Sequence, residues 1–250
     1  MSDSTKRFSN RVSDYIKYRP SYPKECIDYL QHEIGLAGNS VVADVGSGTG
    51  IFTSLLLPIA GKVYAVEPNK EMRLAAEELL KSYPNFVSVN GSSTATALKE
   101  NSVDIITAAQ AFHWFDIPAT LQEFRRIGKV GSKLVLIWNN RKLNTPFLAE
   151  YDHLLKQYAN DYNEVNHQNL TDELLRGCFA GEMTKVSFPN HQNFDFEGLK
   201  GRMLSSSYCP KPNEPNYKPL MTATENAFNK FAVGGKVTFR YDTEIYWGEI

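Results

Sequence analysis

The stretch Val41-Val42-Ala43-Asp44-Val45-Gly46-Ser47-Gly48-Thr49-Gly50 decides the fold. A short valine-rich run opens it, which predicts a strand buried on both faces. Three glycines at alternate positions follow, and the residues from Ile51 to Leu57 predict a helix that ends at Pro58. Strand, glycine turn and helix form a nucleotide-binding layout. Glycine lets the backbone approach a ligand, and a helix N-terminus offers unpaired N–H groups to an anion.

The spacing of the glycines indicates the class of nucleotide. A dinucleotide fingerprint, G-x-G-x-x-G, would need a third glycine where this chain has Ile51, and its glycine comes one residue earlier, at Gly50. A phosphate loop would need a lysine after the glycines, and none follows. The motif alone leaves a tight turn without a ligand as the alternative.

A second apolar run, from Lys62 to Val66, ends in Glu67 and Pro68. Glu67 follows the first glycine by about 20 residues, the distance at which such folds place a ribose-binding acid. Its carboxylate could accept two hydrogen bonds from a ribose 2′,3′-diol and would repel a 2′-phosphate. The alternative is a solvated acid at a turn, so the pairing with the glycines is what favours a ligand.

Composition limits the class of protein. The chain has 250 residues, of which 42% are hydrophobic and 22% charged, enough for one α/β domain with an elaboration. A net charge of −1 argues against nucleic acid as a partner. Three separated cysteines and a polar N-terminus without an apolar segment predict a cytoplasmic protein without a membrane span. The cysteine and histidine spacings do not match a zinc site, so we predict no metal.

The rest of the chain predicts a doubly wound α/β fold with a mostly parallel, seven-stranded sheet. Apolar runs alternate with amphipathic helices as far as a fifth strand, Lys133 to Trp138. The last strand, Val237 to Ile245, alternates apolar and polar residues, which predicts an antiparallel end to the sheet. We divide the chain into a ligand-binding core with an N-terminal lid segment (1–140), an inserted helical cap (141–181), and a C-terminal part that completes the sheet and the substrate side (182–250).

The segment from Phe8 to Pro23 precedes the first predicted helix. Its two close prolines, Pro20 and Pro23, predict extended or turn structure. Its aromatic residues, interleaved with Arg19, could close over a ligand as a lid or pack on the core for stability. The sequence favours neither alternative.

With these elements placed, the chain resembles a class I S-adenosylmethionine (SAM) methyltransferase of the small-molecule type 11 group, which has a Rossmann-like core. It is most similar to the branch related to trans-aconitate methyltransferase. The resemblance covers about residues 8 to 140 and rests on four stretches: Tyr18 to Pro23, Asp44 to Gly50, Val66 to Pro68, and Gln110 to Asp116. Beyond them, Gly201 to Tyr208 is also similar to that branch.

The resemblance implies a cofactor-binding set at the ends of the predicted strands and in the lid: Tyr18, Arg19, Asp44, Gly46, Ser47, Gly48, Thr49, Gly50, Glu67, Pro68, Ser93, Thr94, Gln110, Ala111, Phe112 and His113. The glycines would follow the amino-acid end of SAM, and Glu67 would bind the ribose hydroxyls. Gln110 to His113 would pass beneath the sulfonium. Ser93 and Thr94 would lie by the adenine, where the family often has an acid that a hydroxyl or a backbone carbonyl could replace.

Methyl transfer from a sulfonium is an in-line displacement, so the protein has mainly to align the groups and exclude water. A carboxylate acceptor needs no base, whereas a phenol, an alcohol or a protonated amine needs one. His113 is the candidate catalytic base, or it orients the acceptor as part of the pocket wall. Candidate substrate contacts are aromatic, hydroxyl and arginine side chains: Tyr15, Trp114, Arg141, Arg202, Ser206 and Tyr208. The two arginines could clamp an acidic substrate or simply be solvated.

We therefore predict a SAM-dependent methyltransferase that acts on a small molecule, with a carboxylate among the candidate acceptors, and that forms S-adenosyl-L-homocysteine. The alternatives are a nicotinamide-dependent oxidoreductase, a catalytically silent SAM-binding module, and an RNA or protein methyltransferase, against which the near-neutral charge counts. A monomer and a homodimer are both compatible with the sequence.

Overall fold

A seven-stranded sheet forms the centre of the computed structural model, which describes residues 12–160, 162 and 170–250. Its strands, numbered along the chain, are β1 (Val41–Val45), β2 (Lys62–Val66), β3 (Phe86–Val89), β4 (Val103–Ala109), β5 (Gly128–Arg141), β6 (Thr184–Phe194) and β7 (Val237–Glu249). Their spatial order is β3-β2-β1-β4-β5-β7-β6. The first five strands are parallel, and β7 lies antiparallel between β5 and β6. The predicted fold class is confirmed, with the strand order reversing at β1, where open α/β sheets bind ligands.

The helices of the described residues cover both faces of the sheet and one end of it. They are α1 (Val12–Tyr18), α2 (Lys24–Tyr29), α3 (Thr53–Leu56), α4 (Lys70–Leu80), α5 (Ile117–Ile127), α6 (Pro146–Tyr158), α7 (Asp172–Arg176), α8 (Phe196–Leu204) and α9 (Tyr217–Phe231). A π-helical turn at Leu30–Ile34 extends α2, and a 3-10 turn at Phe112–Trp114 follows β4. Asn69 caps α4 by accepting a hydrogen bond from the Met72 N–H, as its sequence position predicts. None of these helices combines the length and apolar character needed to cross a bilayer.

Two hydrophobic clusters lie on the two faces of the sheet. Neighbouring residues of β4 serve different faces, because side chains alternate along a strand. Ile106 belongs to the cluster that contains Phe124 of α5, whereas Ile105 belongs to the one that contains Leu56 of α3. The central strands are therefore buried on both faces, which explains their nearly continuous apolar sequences.

A third cluster lies where β5 and β7 extend beyond the short central strands. It joins Leu148 of α6, Leu199 of α8, Leu220 of α9 and Phe239 of β7. Phe239 makes edge-on contacts with Phe147 and with other rings of this cluster. The helical cap thus shares a core with elements from the C-terminal part of the chain. The boundaries at residues 140 and 181 stay a prediction.

The prediction for the N-terminal segment is wrong over Val12–Tyr18, which forms helix α1. Residues 8–11 lie outside the described part of the chain. A proline restricts mainly itself and the residue before it, so Pro20 does not prevent a helix that ends at Tyr18. The ring of Tyr18 packs against Gly201 of α8, where a Cβ would fall 2.0 Å from the Tyr18 Cε2. The segment is thereby fixed to α8, in the C-terminal part of the chain.

Candidate active site

The glycine turn after β1 has a backbone that only glycine fits. Gly46 and Gly50 have φ angles of 71° and 83°. A Cβ on Gly46 would lie 2.6 Å from the Cβ of Ala111, and one on Gly50 would lie 2.7 Å from the Cδ1 of Leu80. Conformation and space both exclude a side chain at these two positions. The turn is therefore held close to the segment after β4 and to α4.

Asp44 is buried at the end of β1. Thr53 donates a hydrogen bond to its Oδ2 at 2.6 Å, and Thr107 donates one to its Oδ1 at 2.9 Å. Burial raises the pKa of Asp44 to about 6, against the opposing effect of the two hydroxyl groups. Asp44 thus provides a buried negative charge that a cationic ligand group would neutralise.

Glu67 holds the glycine turn from the end of β2. Its Oε2 accepts a hydrogen bond from the Gly48 N–H at 2.9 Å, and its Oε1 accepts one from the Asn69 N–H at 2.8 Å. The side chain is buried, and burial raises its pKa against the effect of those two N–H groups. A carboxylate has about four acceptor positions, so capacity remains for a ligand diol.

The loop after β3 is fixed to α5 by two contacts. Thr120 donates a hydrogen bond to the Ser93 Oγ at 2.9 Å. Glu123 accepts one from the Thr96 N–H at 2.8 Å and also pairs with Arg126 at 2.7 Å. Arg126 and the Thr96 contacts lower the pKa of Glu123 to about 2. These contacts fix the loop that carries Ser93 and Thr94.

Gln110, directly after β4, combines two unusual features. Its φ angle is 59°, which is uncommon for a residue with a side chain, and its buried Nε2 has no hydrogen-bond partner among the described residues. The buried Oγ of Ser47 also has no hydrogen-bond partner among the described residues. A left-handed residue costs about 1–3 kcal/mol, and such strain is concentrated at functional sites. The two polar atoms mark where a ligand would supply hydrogen bonds.

A cavity of about 220 Å³ joins this edge of the sheet to the cap. Many predicted site residues line it: Tyr15, Arg19, Asp44, Gly46, Ser47, Gln110, His113, Trp114, Arg141, Arg202 and Tyr208. The other predicted site residues lie outside its lining: Tyr18, Gly48, Thr49, Gly50, Glu67, Pro68, Ser93, Thr94, Ala111, Phe112 and Ser206. Of these, Phe112 is fully buried in the core of the sheet.

Several lining residues were not predicted as site residues: Tyr22, Asn139, Asp152, Lys156 and Tyr241. Tyr22 shares a motif with Arg19, and this is the signal that could have identified it. Asp152 and Lys156 stand four residues apart on α6, a spacing that indicates an ordinary exposed helix pair. Nothing local marks Tyr241, which reaches the cavity because β7 pairs with β5.

Two guanidinium groups, that of Arg202 buried and that of Arg19 partly buried, lie close together at the end of the cavity away from the sheet. We call this the cap end, because α6 of the cap lines it together with α8 and the residues after α1. Arg19 donates to the Ser205 carbonyl at 3.0 Å, and its buried Nε has no partner among the described residues. Arg202 donates to the Ser206 Oγ at 3.1 Å and to the Tyr241 hydroxyl at 3.4 Å. Burial, and then the positive charge of Arg202, lower the pKa of Arg19. Neither arginine forms an ion pair with a carboxylate within the described residues.

A third arginine is already ion-paired. Arg141 Nη2 lies 3.0 Å from the Asp152 Oδ1 and donates to the Tyr162 hydroxyl at 2.7 Å. The Tyr162 hydroxyl donates to the same Asp152 oxygen at 2.6 Å, and Lys156 Nζ lies 2.8 Å from the other. Asp152 therefore pairs with two cationic side chains at one place in the cavity wall, and one net positive charge remains there.

His113 faces the cavity from the turn after β4. The indole Nε1 of Trp138 donates a long hydrogen bond, 3.4 Å, to the imidazole Nδ1. Because an indole N–H can only donate, Nδ1 must accept, and the neutral ring then carries its proton on Nε2. This contact favours an orienting role, and the base role stays a prediction.

The chain is similar in sequence to known methyltransferases. A family model described as a methyltransferase domain matches residues 43–136. An uncharacterised methyltransferase-like protein of Schizosaccharomyces pombe is 32% identical over 215 residues, 85% of this chain and 82% of that protein. An uncharacterised methyltransferase of Mycobacterium tuberculosis is 34% identical over 153 residues, 61% of this chain and 60% of that protein.

The chain belongs to the class I SAM-dependent methyltransferases. This sets aside the nicotinamide-dependent alternative. Two solved structures have a similar fold. Because their sequence identity to this chain is low, they support the fold and not the function. An Anabaena variabilis protein matches with a TM-score of 0.64 and 18% identity over 92% of this chain and 99% of that chain. The Bacillus subtilis YcgJ protein matches with a TM-score of 0.58 and 15% identity over 91% and 100%.

The cofactor of the methyltransferase is SAM, and the site's own chemistry fits that molecule. SAM carries an ammonium, a carboxylate and a sulfonium close together, so its methionyl end needs polar partners and a narrow backbone turn. The unpartnered Ser47 Oγ and Gln110 Nε2 offer such partners. The space at Gly46 that a Cβ would fill offers the turn.

Proposed function

We propose that this methyltransferase transfers the methyl group of SAM to a carboxylate of a small molecule. The observation that carries the proposal is the set of guanidinium groups of Arg19, Arg141 and Arg202, all lining one cavity. Arg19 and Arg202 lack a carboxylate partner within the described residues, and Arg202 is only 6% exposed. Holding unpaired cations out of water is costly unless an anion joins them, so a bound carboxylate would complete the site.

The remaining residues suit this reaction. SAM supplies an electrophilic methyl group on a sulfonium, and a carboxylate acceptor is already ionised at neutral pH. The chain therefore has to bind and align the two molecules, and no base is required. Asp44 and the turn at Gly46 would hold the methionyl end, and Glu67 would hold the ribose. His113, which presents Nε2–H in its neutral form, would donate a hydrogen bond to the acceptor.

The finer assignments follow from the same reasoning. The branch related to trans-aconitate methyltransferase is supported by the placement of Arg19 and Arg202, from two of the stretches that carry the resemblance, in one cavity. Ser93 and Thr94 stay the proposed adenine contacts. A cytoplasmic protein is compatible with three buried free cysteines, Cys26, Cys178 and Cys209. A monomer or a homodimer remains our expectation.

The test is an acceptor panel of carboxylic acids, phenols, primary amines and thiols, each incubated with methyl-labelled SAM. We expect methyl esters from carboxylic acids alone, detected by mass spectrometry together with S-adenosylhomocysteine. Arg202→Gln should lower kcat/KM for the best acid by about 10- to 100-fold, since a hydrogen bond to a charged group contributes about 1.5–3 kcal/mol. The Kd for SAM should change less than about threefold.

Arg240→Gln is the matched control, because Arg240 neighbours Tyr241 on β7 but is exposed and does not line the cavity. It should retain wild-type kinetics. Thermal unfolding of both variants checks that the fold is intact. Methylation of an amine, phenol or thiol without any ester would overturn the carboxylate assignment. SAM binding without any methylated product would favour the catalytically silent alternative.

A further inference from the structure

Asp152 occupies a position that the proposed reaction does not require. It belongs to α6, is 6% exposed, and lines the cavity with both carboxylate oxygens engaged. Oδ1 contacts Arg141 and the Tyr162 hydroxyl, and Oδ2 contacts Lys156. A carboxylate that only supported α6 could face solvent, whereas this one faces the pocket in which an acidic substrate would lie.

The charges that line the cavity are unevenly distributed. Asp44 is at the sheet end, where Thr53 and Thr107 hold it. At the cap end, Asp152 is the carboxylate among the lining residues that the structure describes, and its charge is shared by Arg141 and Lys156. The cap end therefore has one part whose two cations share the carboxylate of Asp152, and another, at Arg19 and Arg202, whose cations have no carboxylate partner within the described residues.

We propose that Asp152 is a specificity-determining residue, which occupies Arg141 and Lys156 as an internal anion and thereby disfavours acceptors that carry a further anionic group beside α6. This inference rests on the proposed carboxylate acceptor. The carboxylate of the acceptor binds at Arg19 and Arg202, where no protein anion competes. A second substrate carboxylate near α6 meets the negative charge of Asp152 and finds its two cations already paired.

The substitution Asp152→Asn separates charge from shape. Asparagine has the same size and still accepts a hydrogen bond from Arg141 or Tyr162, but it leaves one more net positive charge at the cap end. An added acceptor carboxylate near α6 then no longer meets the negative charge of Asp152, and it can pair with two cations that no protein carboxylate occupies. Removing one juxtaposed like charge should favour the diacid over the half-amide, because like charges facing each other in a binding site are unfavourable. We expect a change of about tenfold in selectivity, which corresponds to about 1.4 kcal/mol.

The experiment compares dicarboxylic acids that the wild-type enzyme methylates with the half-amides of the same carbon skeletons. Each pair differs by one charge at nearly constant shape. We expect Asp152→Asn to raise the ratio of kcat/KM for the diacid over the half-amide by about tenfold, through KM rather than kcat. The KM for SAM should stay within about threefold. Asp242→Asn, which removes the carboxylate of an ion pair with Lys142 outside the cavity lining, should leave the ratio unchanged.

A second variant tests the opposite direction. Lys156→Met removes one of the two cations and should lower the same ratio, because Asp152 is then less neutralised. Thermal unfolding shows whether each variant is folded. An unchanged ratio in folded Asp152→Asn overturns the inference, and if that variant does not fold, an unchanged ratio in Lys156→Met overturns it. Failure of the proposed function is distinguishable, because the wild-type enzyme would then methylate none of the acids.

Discussion

The two ends of the cavity are built in different ways. The sheet end uses backbone: the positive φ angles of Gly46 and Gly50, and N–H groups that Glu67 holds in place. The cap end uses long side chains from separate elements, such as Arg19 and Arg202, which are held by carbonyl and hydroxyl groups. A backbone site has a fixed shape and accepts one cofactor, whereas a side-chain site can be altered by single substitutions. This difference suits an enzyme family with a common cofactor and diverse acceptors.

The two ends also treat buried charge differently. At the sheet end, acids are buried and receive hydrogen bonds from hydroxyl or N–H groups, and their pKa values are raised. At the cap end, one buried and two partly buried arginines lie with one carboxylate, that of Asp152, so the positive charge exceeds the negative charge. The charges at the sheet end thus suit a cationic ligand group and those at the cap end an anionic one, as the proposed binding of SAM beside a carboxylate requires.

Glu67→Gln is expected to have the largest effect on SAM binding, and it tests whether the sheet end acts separately from the cap end. The amide removes the charge and can accept with only one of its two terminal atoms, so it loses either the Gly48 or the Asn69 contact. We expect the Kd for SAM to rise about 10- to 100-fold, since a hydrogen bond to a charged group contributes about 1.5–3 kcal/mol. Isothermal titration calorimetry measures this change.

Glu77→Gln is the control for that prediction. Glu77 also accepts a hydrogen bond, from the Ser88 hydroxyl at 2.6 Å, but this bond joins α4 to β3 and does not involve the glycine turn. Its Kd for SAM should stay within about twofold of wild type. In Glu67→Gln, KM for the acceptor at saturating SAM should be unchanged. An equal loss of SAM and acceptor affinity would mean that the two ends do not act separately, and an unchanged Kd for SAM would refute the ribose role.

A smaller effect concerns pH and Asp44. The pKa of Asp44 is about 6 when folded, against 3.8 as its ordinary value. A cationic ligand group favours the ionised form, so SAM affinity should fall by about tenfold between pH 7 and pH 5, as Asp44 takes up a proton. Asp44→Asn should bind SAM more weakly at pH 7 and lose most of this dependence. A pH-independent Kd in the wild-type enzyme would contradict the placement of a cation beside Asp44.

The raised pKa of Asp44 also determines whether the stability of the fold rises or falls with pH. Because the folded pKa is raised, the unfolded chain releases its proton first as the pH rises. The stabilising contribution of protonated Asp44 is fully present below pH 3.8 and is lost as the pH rises through about 6. Relative to Asp44→Asn, the wild-type enzyme should therefore lose about 2–3 kcal/mol of stability between pH 4 and pH 7 in urea unfolding. Ionisation of Asp44 is therefore expected to strengthen SAM binding and to lower the stability of the fold.

The comparison also explains what the sequence could predict. The sheet end is made by residues that lie close together in the chain. The sequence therefore predicts the glycine turn, the acid after β2 and the Asn69 cap. The cap end is made by residues far apart, such as Arg202 and Tyr241, which meet only because β7 and α8 pack together. The extent of β6 is also hard to predict, because its residues after Phe188 are polar and contain Pro189, which a sheet tolerates at its edge.

The smallest expected effect tests whether the loop after β3 is positioned from outside the site. Glu123 lines no part of the cavity, but it holds the Thr96 N–H and pairs with Arg126. Its pKa is lowered to about 2, so its stabilising contribution is present above the ordinary value of 4.5 and is lost as the pH falls through about 2. Glu123→Gln should cost about 1–3 kcal/mol of stability at pH 7, discounted because Arg126 is partly exposed. The difference from wild type should narrow below pH 4.5 in urea unfolding.

Because Ser93 is also bonded to α5, through Thr120, loosening the loop at Thr96 should move the proposed adenine contacts, Ser93 and Thr94, only slightly. We expect the Kd for SAM in Glu123→Gln to rise less than about threefold, with acceptor selectivity unchanged. Glu100→Gln, at an exposed position before β4, is the control and should change neither quantity. If Glu123→Gln weakened SAM binding as much as Glu67→Gln, the sheet end would depend on side-chain contacts as the cap end does, and the contrast between backbone and side-chain construction would fail.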